Sequence, residues 1–86
     1  MKYRKEYLIT FGSTYRALKA EKTLKGRGIE FRLVPTPGKL ISGCGLSIAF
    51  DDENRILVVE ALREEGVKIK ASFIKMEKDY IETSLS

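Results

Sequence analysis

The chain contains a single cysteine, Cys44, which lies between Gly43 and Gly45. A cysteine thiolate is a nucleophile, and it can accept a sulfur atom from a donor. Glycines on both sides permit positive φ angles and let another molecule approach the sulfur closely. A structural role is the alternative, because free cysteines often pack as small hydrophobic side chains. Cys44 is therefore a candidate nucleophile or sulfur carrier.

Cys44 falls near the end of a long loop that begins at Pro35. Pro35 and Pro37 fix their own φ angles and favour extended conformations in the residues before them. Regular structure should stop here, and the loop should be rigid. A tight hairpin needs only about two to five residues, so this loop is longer than chain reversal requires. The extra length indicates a functional loop.

Periodic patterns of apolar residues predict four strands and two helices around this loop. The predicted strands span residues 7–11, 29–34, 46–50 and 67–73, and the predicted helices span 14–25 and about 53–65. The order βαββαβ is that of a ferredoxin-like α+β unit, with a four-stranded antiparallel sheet ordered 4-1-3-2 and both helices on one face. We therefore expect one domain over residues 1–86, with an ordered core at about 5–75 and a polar C-terminal tail.

This topology places the long loop beside the start of the first helix. Cys44 is therefore expected to be at least partly accessible and to lie near Gly12, Ser13 and Thr14, with Ser13 as the N-cap of the helix. The positively polarised N-terminus of a helix favours a thiolate over a thiol. Two lysines and the loop amides should add positive charge around the sulfur. The further binding residues that we predict are Lys39, Ser42, Gly43, Gly45 and Lys68.

The sheet face without helices is predicted to be partly apolar. Its residues are expected to be Leu8, Thr10, Ser47, Ala49, Lys68 and Lys70. A face of this kind has to be solvated, covered by a ligand or buried between subunits. We predict a homodimer that uses this face or its edge.

The composition argues against several other chemistries. The 86 residues include no histidine, which removes imidazole metal ligands and histidine-based acid–base catalysis. A lone cysteine cannot form an intramolecular disulfide, and no apolar run approaches the length of a membrane span. We therefore expect a cytoplasmic protein with no metal, no other cofactor and no membrane contact. The acidic run at 51–53 fits a solvated helix N-terminus better than a metal site.

The net charge of +4 comes from 16 Lys and Arg residues against 12 Asp and Glu residues. The lysines are scattered along the chain. A protein that follows a phosphate backbone more often carries arginine-rich runs with exposed aromatic residues. Nucleic-acid binding through Arg16, Lys19 and Lys22 is therefore a weak alternative.

Two short motifs resemble those of a known family. They are P-x-P and S-x-C-G, at Pro35, Pro37, Ser42, Cys44 and Gly45. With Phe-Gly-Ser-Thr at 11–14, they resemble the selenium/sulfur carrier protein-like family of small prokaryotic proteins over about residues 5–73. The resemblance implies that Cys44 carries sulfur or selenium as a persulfide or selenylsulfide. It also implies separate donor and acceptor proteins as partners.

We therefore expect a carrier or thiol-relay module that uses Cys44, rather than a self-sufficient enzyme. The alternative is a non-catalytic ferredoxin-like module that dimerises or binds a small anion, with Cys44 as a structural residue. A serine hydrolase is disfavoured because neither Ser13 nor Ser42 has a histidine or an obvious lysine base.

Overall fold

A computed structural model describes residues 5–40 and 44–85 of the protein. Two α-helices and five strands form the domain. The strands are β1 (Glu6–Thr10), β2 (Arg32–Pro35), β3 (Leu46–Asp51), β4 (Ala71–Lys75) and β5 (Tyr80–Glu82), and the helices are α1 (Thr14–Gly26) and α2 (Arg55–Glu64). The predicted α+β class, with two helices and an antiparallel sheet, is confirmed. The predicted number of four strands is wrong, because β5 is a fifth.

The strands form one sheet in the order β2-β3-β1-β4-β5, and every neighbouring pair is antiparallel. β1 lies at the centre, where Tyr7 pairs with Phe50 on one side and with Ile74 on the other. The rings of Tyr7 and Phe50 stack with their centroids 5.6 Å apart, on the side of the sheet that faces the core.

Both helices pack on one face of this sheet. In α1, spacings of three and four residues place Ala17, Ala20 and Leu24 on one stripe, and all three are buried. The same core cluster includes residues from β1, β3 and α2. They are Tyr7, Ile9, Ile48, Phe50, Val58, Ala61 and Leu62. Among the described residues, no helix is long and apolar enough to cross a membrane.

The helix starts follow from local chemistry. Ser13 is extended, and its hydroxyl accepts the N–H of Arg16 at 3.2 Å, so it is the N-cap of α1. The second helix was expected from about residue 53. A single 3₁₀ turn at Asp52–Asn54 occupies its predicted first residues, and the α-helix begins at Arg55.

The fourth strand begins later than the alternating sequence predicted. The N–H of Val67 bonds to the carbonyl of Leu62 at 2.9 Å, which closes the end of α2, and Lys70 donates its N–H to Thr10 at 2.8 Å. These contacts hold residues 67–70 as a connection rather than a strand. Lys68 and Lys70 are exposed there, so their predicted position on the helix-free sheet face is wrong.

The segment after β4 is ordered and packs onto α2. β5 pairs with β4, with Ile81 opposite Ile74. Beyond β5, Leu85 is buried in the core cluster, and Arg55 donates to its carbonyl oxygen at 3.0 Å. The buried Leu85 attaches this polar stretch to the core cluster. Residues 80–85 are therefore a short ordered extension of the domain rather than a loose tail.

The helix-free face of the sheet is closed within the chain. Its predicted residues Leu8, Thr10, Ser47 and Ala49 are each at most 3% exposed. Lys39, beyond β2, lies 3.0 Å from Asp79 in the β4–β5 turn, although β2 and β5 are opposite edges of the sheet. Since the helices occupy the other face, these two segments meet on the helix-free side. The expected open face does not exist, and a dimer through these four side chains loses its basis.

Candidate functional site around Cys44

The backbone of Cys44 is held by Thr36, from the other side of the loop. The Thr36 N–H donates to the carbonyl of Gly45 at 2.8 Å, and its Oγ1 donates to the carbonyl of Cys44 at 3.2 Å. The same hydroxyl lies 2.6 Å from Ser47 Oγ. Both hydroxyls are buried, where an unpaired polar group would be costly. We call this set of groups the Thr36 clasp. It consists of the Thr36 side chain, the Cys44 carbonyl and the Ser47 hydroxyl.

The two prolines position Thr36. Pro35 is the last residue of β2, an edge strand, where a residue without an N–H is tolerated. Pro37 favours an extended conformation in the residue before it, which is Thr36. The Pro37 carbonyl accepts the N–H of Leu40 at 2.8 Å and so begins the 3₁₀ turn Gly38–Leu40. The P-x-P motif thus restricts the backbone of Thr36, the residue that holds the backbone of Cys44.

The Cys44 sulfur lies inside the domain. The residue is only 2% exposed and belongs to the core cluster. Its Sγ lies 3.9 Å from Thr14 Oγ1 and 3.5 Å from the Leu46 carbonyl oxygen, and either can accept the thiol proton. The Leu46 N–H donates to the sulfur, with 3.4 Å between N and S. The predicted accessibility of Cys44 is therefore wrong for this conformation, because the clasped loop turns the side chain towards the helices.

The start of α1 lies beside the sulfur. Thr14 is the first residue of the helix and is itself exposed, so the sulfur is only one side chain below the surface at this point. The Ser13 hydroxyl is occupied by its capping bond to Arg16. Gly12 precedes the cap and is exposed. The N-terminus of a helix carries partial positive charge, and here it lies beside the sulfur.

The lysines predicted to surround the sulfur have other positions. Lys39 pairs with Asp79, whose pKa is lowered, first by the N–H of Tyr80 and then by Lys39 itself. Lys68 is exposed in the connection between α2 and β4. Within residues 5–40 and 44–85, no hydrogen bond or ion pair joins either lysine to Cys44.

Three predicted site residues lie close to Cys44 in the sequence, namely Ser42, Gly43 and Gly45. Ser42 and Gly43, both predicted site residues, lie outside the described residues. Gly45 is exposed and does not have a positive φ angle. Among the described residues other than its two chain neighbours, nothing lies within 4 Å of the Cβ that another residue would have there. A positive φ angle is therefore not the reason for glycine at position 45.

The acidic residues at the start of α2 are engaged with arginines. Asp52 lies 3.5 Å from Arg55, and Asp51 lies 3.9 Å from Arg32. In the part of the chain that the structure describes, no three His, Cys, Asp or Glu side chains form a group that could hold a metal ion.

Sequence reasoning missed two residues of this site. Thr36 was considered only as part of the proline motif, and Ser47 was assigned to an open dimer face. The available signal was a hydroxyl residue between two prolines, because such a side chain has few conformations and a fixed direction. Its partner could not be identified without the pairing of β2 with β3.

Comparisons with known proteins give one match. The family model described as "Putative Se/S carrier protein-like" matches residues 6–74, which is most of the chain and includes Cys44. Searches of curated proteins and of solved structures find no significant match.

Proposed function

Because this chain belongs to the Se/S carrier protein-like family, we propose that Cys44 accepts a sulfur or selenium atom from a donor and passes it to an acceptor. The observation that carries the proposal is the environment of the one thiol in the chain. Its sulfur lies at the positive end of α1 and also receives the N–H of Leu46. Both features place partial positive charge beside the atom that would attack a donor.

The proposed loading step is a thiol–persulfide exchange. The Cys44 thiolate attacks the outer sulfur of a donor persulfide, R–S–SH, and forms a new S–S bond. The donor S–S bond breaks, and its electron pair leaves with R–S⁻. Cys44 then carries the atom as Cys44–S–SH, and an acceptor nucleophile removes it by the reverse type of step. No net oxidant or reductant is needed, because sulfane sulfur is transferred between thiols.

The Thr36 clasp and the start of α1 would have separate roles in this step. The clasp fixes the Cys44 carbonyl, so the direction of the side chain is set by the backbone. Thr14 is an exposed residue whose side chain lies beside the sulfur, and Gly45, the residue after Cys44, is also exposed. A donor would therefore approach between Thr14 and Gly45, with a small displacement that uncovers the sulfur.

The cellular location and the partners that we propose follow from the same chemistry. A carrier thiol has to stay reduced until it is loaded, which favours the cytoplasm. A single-cysteine carrier also requires donor and acceptor proteins.

For the fold, we infer a ferredoxin-like unit extended by β5, and the support is the neighbouring order β2-β3-β1-β4 with two helices on one face.

A second candidate is a non-catalytic module in which Cys44 is structural. The observation that favours it is the burial of Cys44 in the core cluster, where its exposed fraction is 2%. In that case the thiol fills space beneath Thr14, and the loop serves only to close the domain.

Loading kinetics distinguish the two functions. The protein would be incubated with glutathione persulfide, and addition of one sulfur atom would be followed by intact-mass spectrometry on the native chain and on the chain in denaturant. A carrier site predicts faster loading of the native protein than of the denatured one, because the folded site orients the sulfur and places partial positive charge beside it. A structural thiol predicts the reverse, since burial blocks the donor. Native loading slower than denatured loading would therefore reject the carrier function.

Thr14→Val is the matched variant for this assay. It keeps the size of the side chain and removes the hydroxyl next to the sulfur. If the start of α1 assists loading, the variant should load more slowly when native and at an unchanged rate in denaturant. Cys44→Ser is the blank that identifies any sulfur attached elsewhere.

A further inference from the structure

The Cys44 side chain has little room for a second sulfur atom in the clasped structure. Its Sγ lies 3.9 Å from Thr14 Oγ1 and 3.5 Å from the Leu46 carbonyl oxygen. A sulfur–sulfur bond is about 2.05 Å long, so an atom added towards either neighbour would lie less than about 2 Å from it. The thiol is otherwise enclosed, because the residue is buried in the close-packed core cluster. A loaded Cys44 would therefore overpack its present position.

The backbone of Cys44 and Gly45 has the fewest attachments among the segments around the sulfur. On one side, α1 is anchored by Ala17 and Ala20, which are fully buried. On the other side, β3 is paired with both β1 and β2. In the parts of the chain that the structure describes, only Thr36 donates hydrogen bonds to the two carbonyls of residues 44 and 45. This pair of residues is therefore the part that overpacking would displace.

We propose that loading of Cys44 opens the Thr36 clasp, so that the empty and the loaded protein have different conformations at this site; the inference rests on the proposed carrier function. In the empty protein, the clasp buries the thiol and shields it from other electrophiles. In the loaded protein, Cys44 and Gly45 separate from Thr36, and the transferable atom lies at the surface beside Thr14. An acceptor then meets an accessible sulfur only when the carrier is loaded.

The clasp has a second arrangement in which its hydroxyls stay paired. Turning the Cys44 side chain outward moves its own carbonyl away from Thr36, because both belong to the same residue. The Thr36 hydroxyl lies only 2.6 Å from Ser47 Oγ, and either oxygen can be the donor in that contact. After the carbonyl has left, Thr36 can donate to Ser47, so opening leaves no buried hydroxyl without a partner. Two discrete arrangements of this kind are what a conformational switch requires.

The test loads the site chemically, so that it does not depend on any donor. Methyl methanethiosulfonate would be added to the denatured chain. The Cys44 thiolate attacks the sulfur that carries the methyl group, the sulfur–sulfur bond of the reagent breaks, and its electron pair leaves with methanesulfinate. The product, Cys44–S–S–CH₃, carries a methyl group in place of the persulfide proton.

Hydrogen exchange of single amides after refolding would report the state of the clasp. The Thr36 N–H donates to the Gly45 carbonyl at 2.8 Å and is therefore protected while the clasp is closed. NMR would compare its exchange rate in the modified and unmodified proteins. If the added atoms open the clasp, the Thr36 amide should exchange at least about tenfold faster in the modified protein.

Two other amides and two variants provide the controls. The N–H groups of Val67 and Lys70 bond to Leu62 and Thr10, away from this site, and their exchange should not change. Cys44→Ala is the blank for the reagent. Thr36→Val keeps the amide at position 36 but removes the clasp hydroxyl. That amide should exchange faster before modification, and modification should accelerate it by a smaller factor than in the wild type.

Three results would overturn the proposal. One is unchanged exchange at Thr36 in the modified protein, which would mean that the closed site accommodates the added atoms. Another is an equal increase at Thr36, Val67 and Lys70, which would mean that the whole domain is destabilised. The third is the same factor in Thr36→Val as in the wild type, which would mean that the sulfur and the clasp are not coupled. None of these results depends on loading by a persulfide, so the switch and the carrier function can fail separately.

Discussion

Replacing Thr36 by valine should destabilise the domain and uncover Cys44. Valine has nearly the shape of threonine, so the substitution removes the hydroxyl and little else. It breaks the bond to the Cys44 carbonyl and the 2.6 Å contact with Ser47. Ser47 is fully buried, and a buried hydroxyl without its partner costs about 1–3 kcal/mol. We expect a loss of about 2 kcal/mol in the free energy of unfolding.

The loss can be measured by urea denaturation and by heating. For a domain of this size, each kcal/mol lowers the melting temperature by about 4–8 °C. Ser47→Ala should cost less, about 1 kcal/mol, because Thr36 keeps its bond to the Cys44 carbonyl. The double variant should cost less than the sum of the two single losses, by about 0.5–1.5 kcal/mol, since the variants remove a shared interaction.

Thr10→Val is the matched control for this substitution. Thr10 is buried on the same sheet face, but its hydroxyl makes only a long contact of 3.4 Å with Ala71. The control should change stability by less than about 1 kcal/mol, because valine is well accommodated in a strand. The role assigned to the clasp is refuted if Thr36→Val costs no more than Thr10→Val. It is also refuted if iodoacetamide labels Cys44 at the same rate in Thr36→Val and wild type under native conditions.

Two further predictions concern the C-terminal segment and the alkaline limit of stability. Leu85→Ala should lower the free energy of unfolding by about 2–3 kcal/mol, because it removes a buried side chain from the core cluster. Ile81→Ala should lower it by less than about 1 kcal/mol, because the Ile81 side chain is 54% exposed. Equal urea midpoints for the two variants would mean that Leu85 does not anchor the chain. The pKa of Tyr7 is raised, mainly by burial and further by its hydrogen bond to Asp52. The folded state therefore holds this proton more tightly than the unfolded state, and stability should fall as pH rises above about 10. Tyr7→Phe should show a smaller fall between about pH 9 and pH 11 in urea titrations, and identical slopes would contradict this.

The residue pattern within one segment was sufficient to predict those parts of the fold that depend on that segment alone. The stripe of Ala17, Ala20 and Leu24 and the capping hydroxyl of Ser13 lie within one short stretch, so the sequence predicts both the position and the buried side of α1. The alternation in β1 likewise predicts that Tyr7 and Ile9 face the helices. The match of residues 6–74 to the carrier family agrees with the resemblance of its two motifs.

Local patterns failed where two distant segments compete. Residues 67–73 alternate like a strand, but the bonds of Val67 to α2 and of Lys70 to β1 take the first four of them out of the sheet. The predicted alternation would place Phe73 on the face that carries the helices. In the structure Phe73 instead pairs with Leu8 and lies on the helix-free face. β5 was missed for a similar reason, because its three residues are polar apart from Ile81 and form a strand only beside β4.

The sequence by itself therefore determined the order of the elements from β1 to β4, the helix that meets the loop and the presence of a single thiol near that helix. Only the tertiary structure decided how exposed that thiol is. Flanking residues such as Gly45 indicate access, but burial depends on every segment that passes over a residue. Here the Thr36 clasp turns Cys44 inward, and the side chains of the helix-free face are buried as well. The sequence could not identify the partners in either case, because they are residues that only the folded chain brings together.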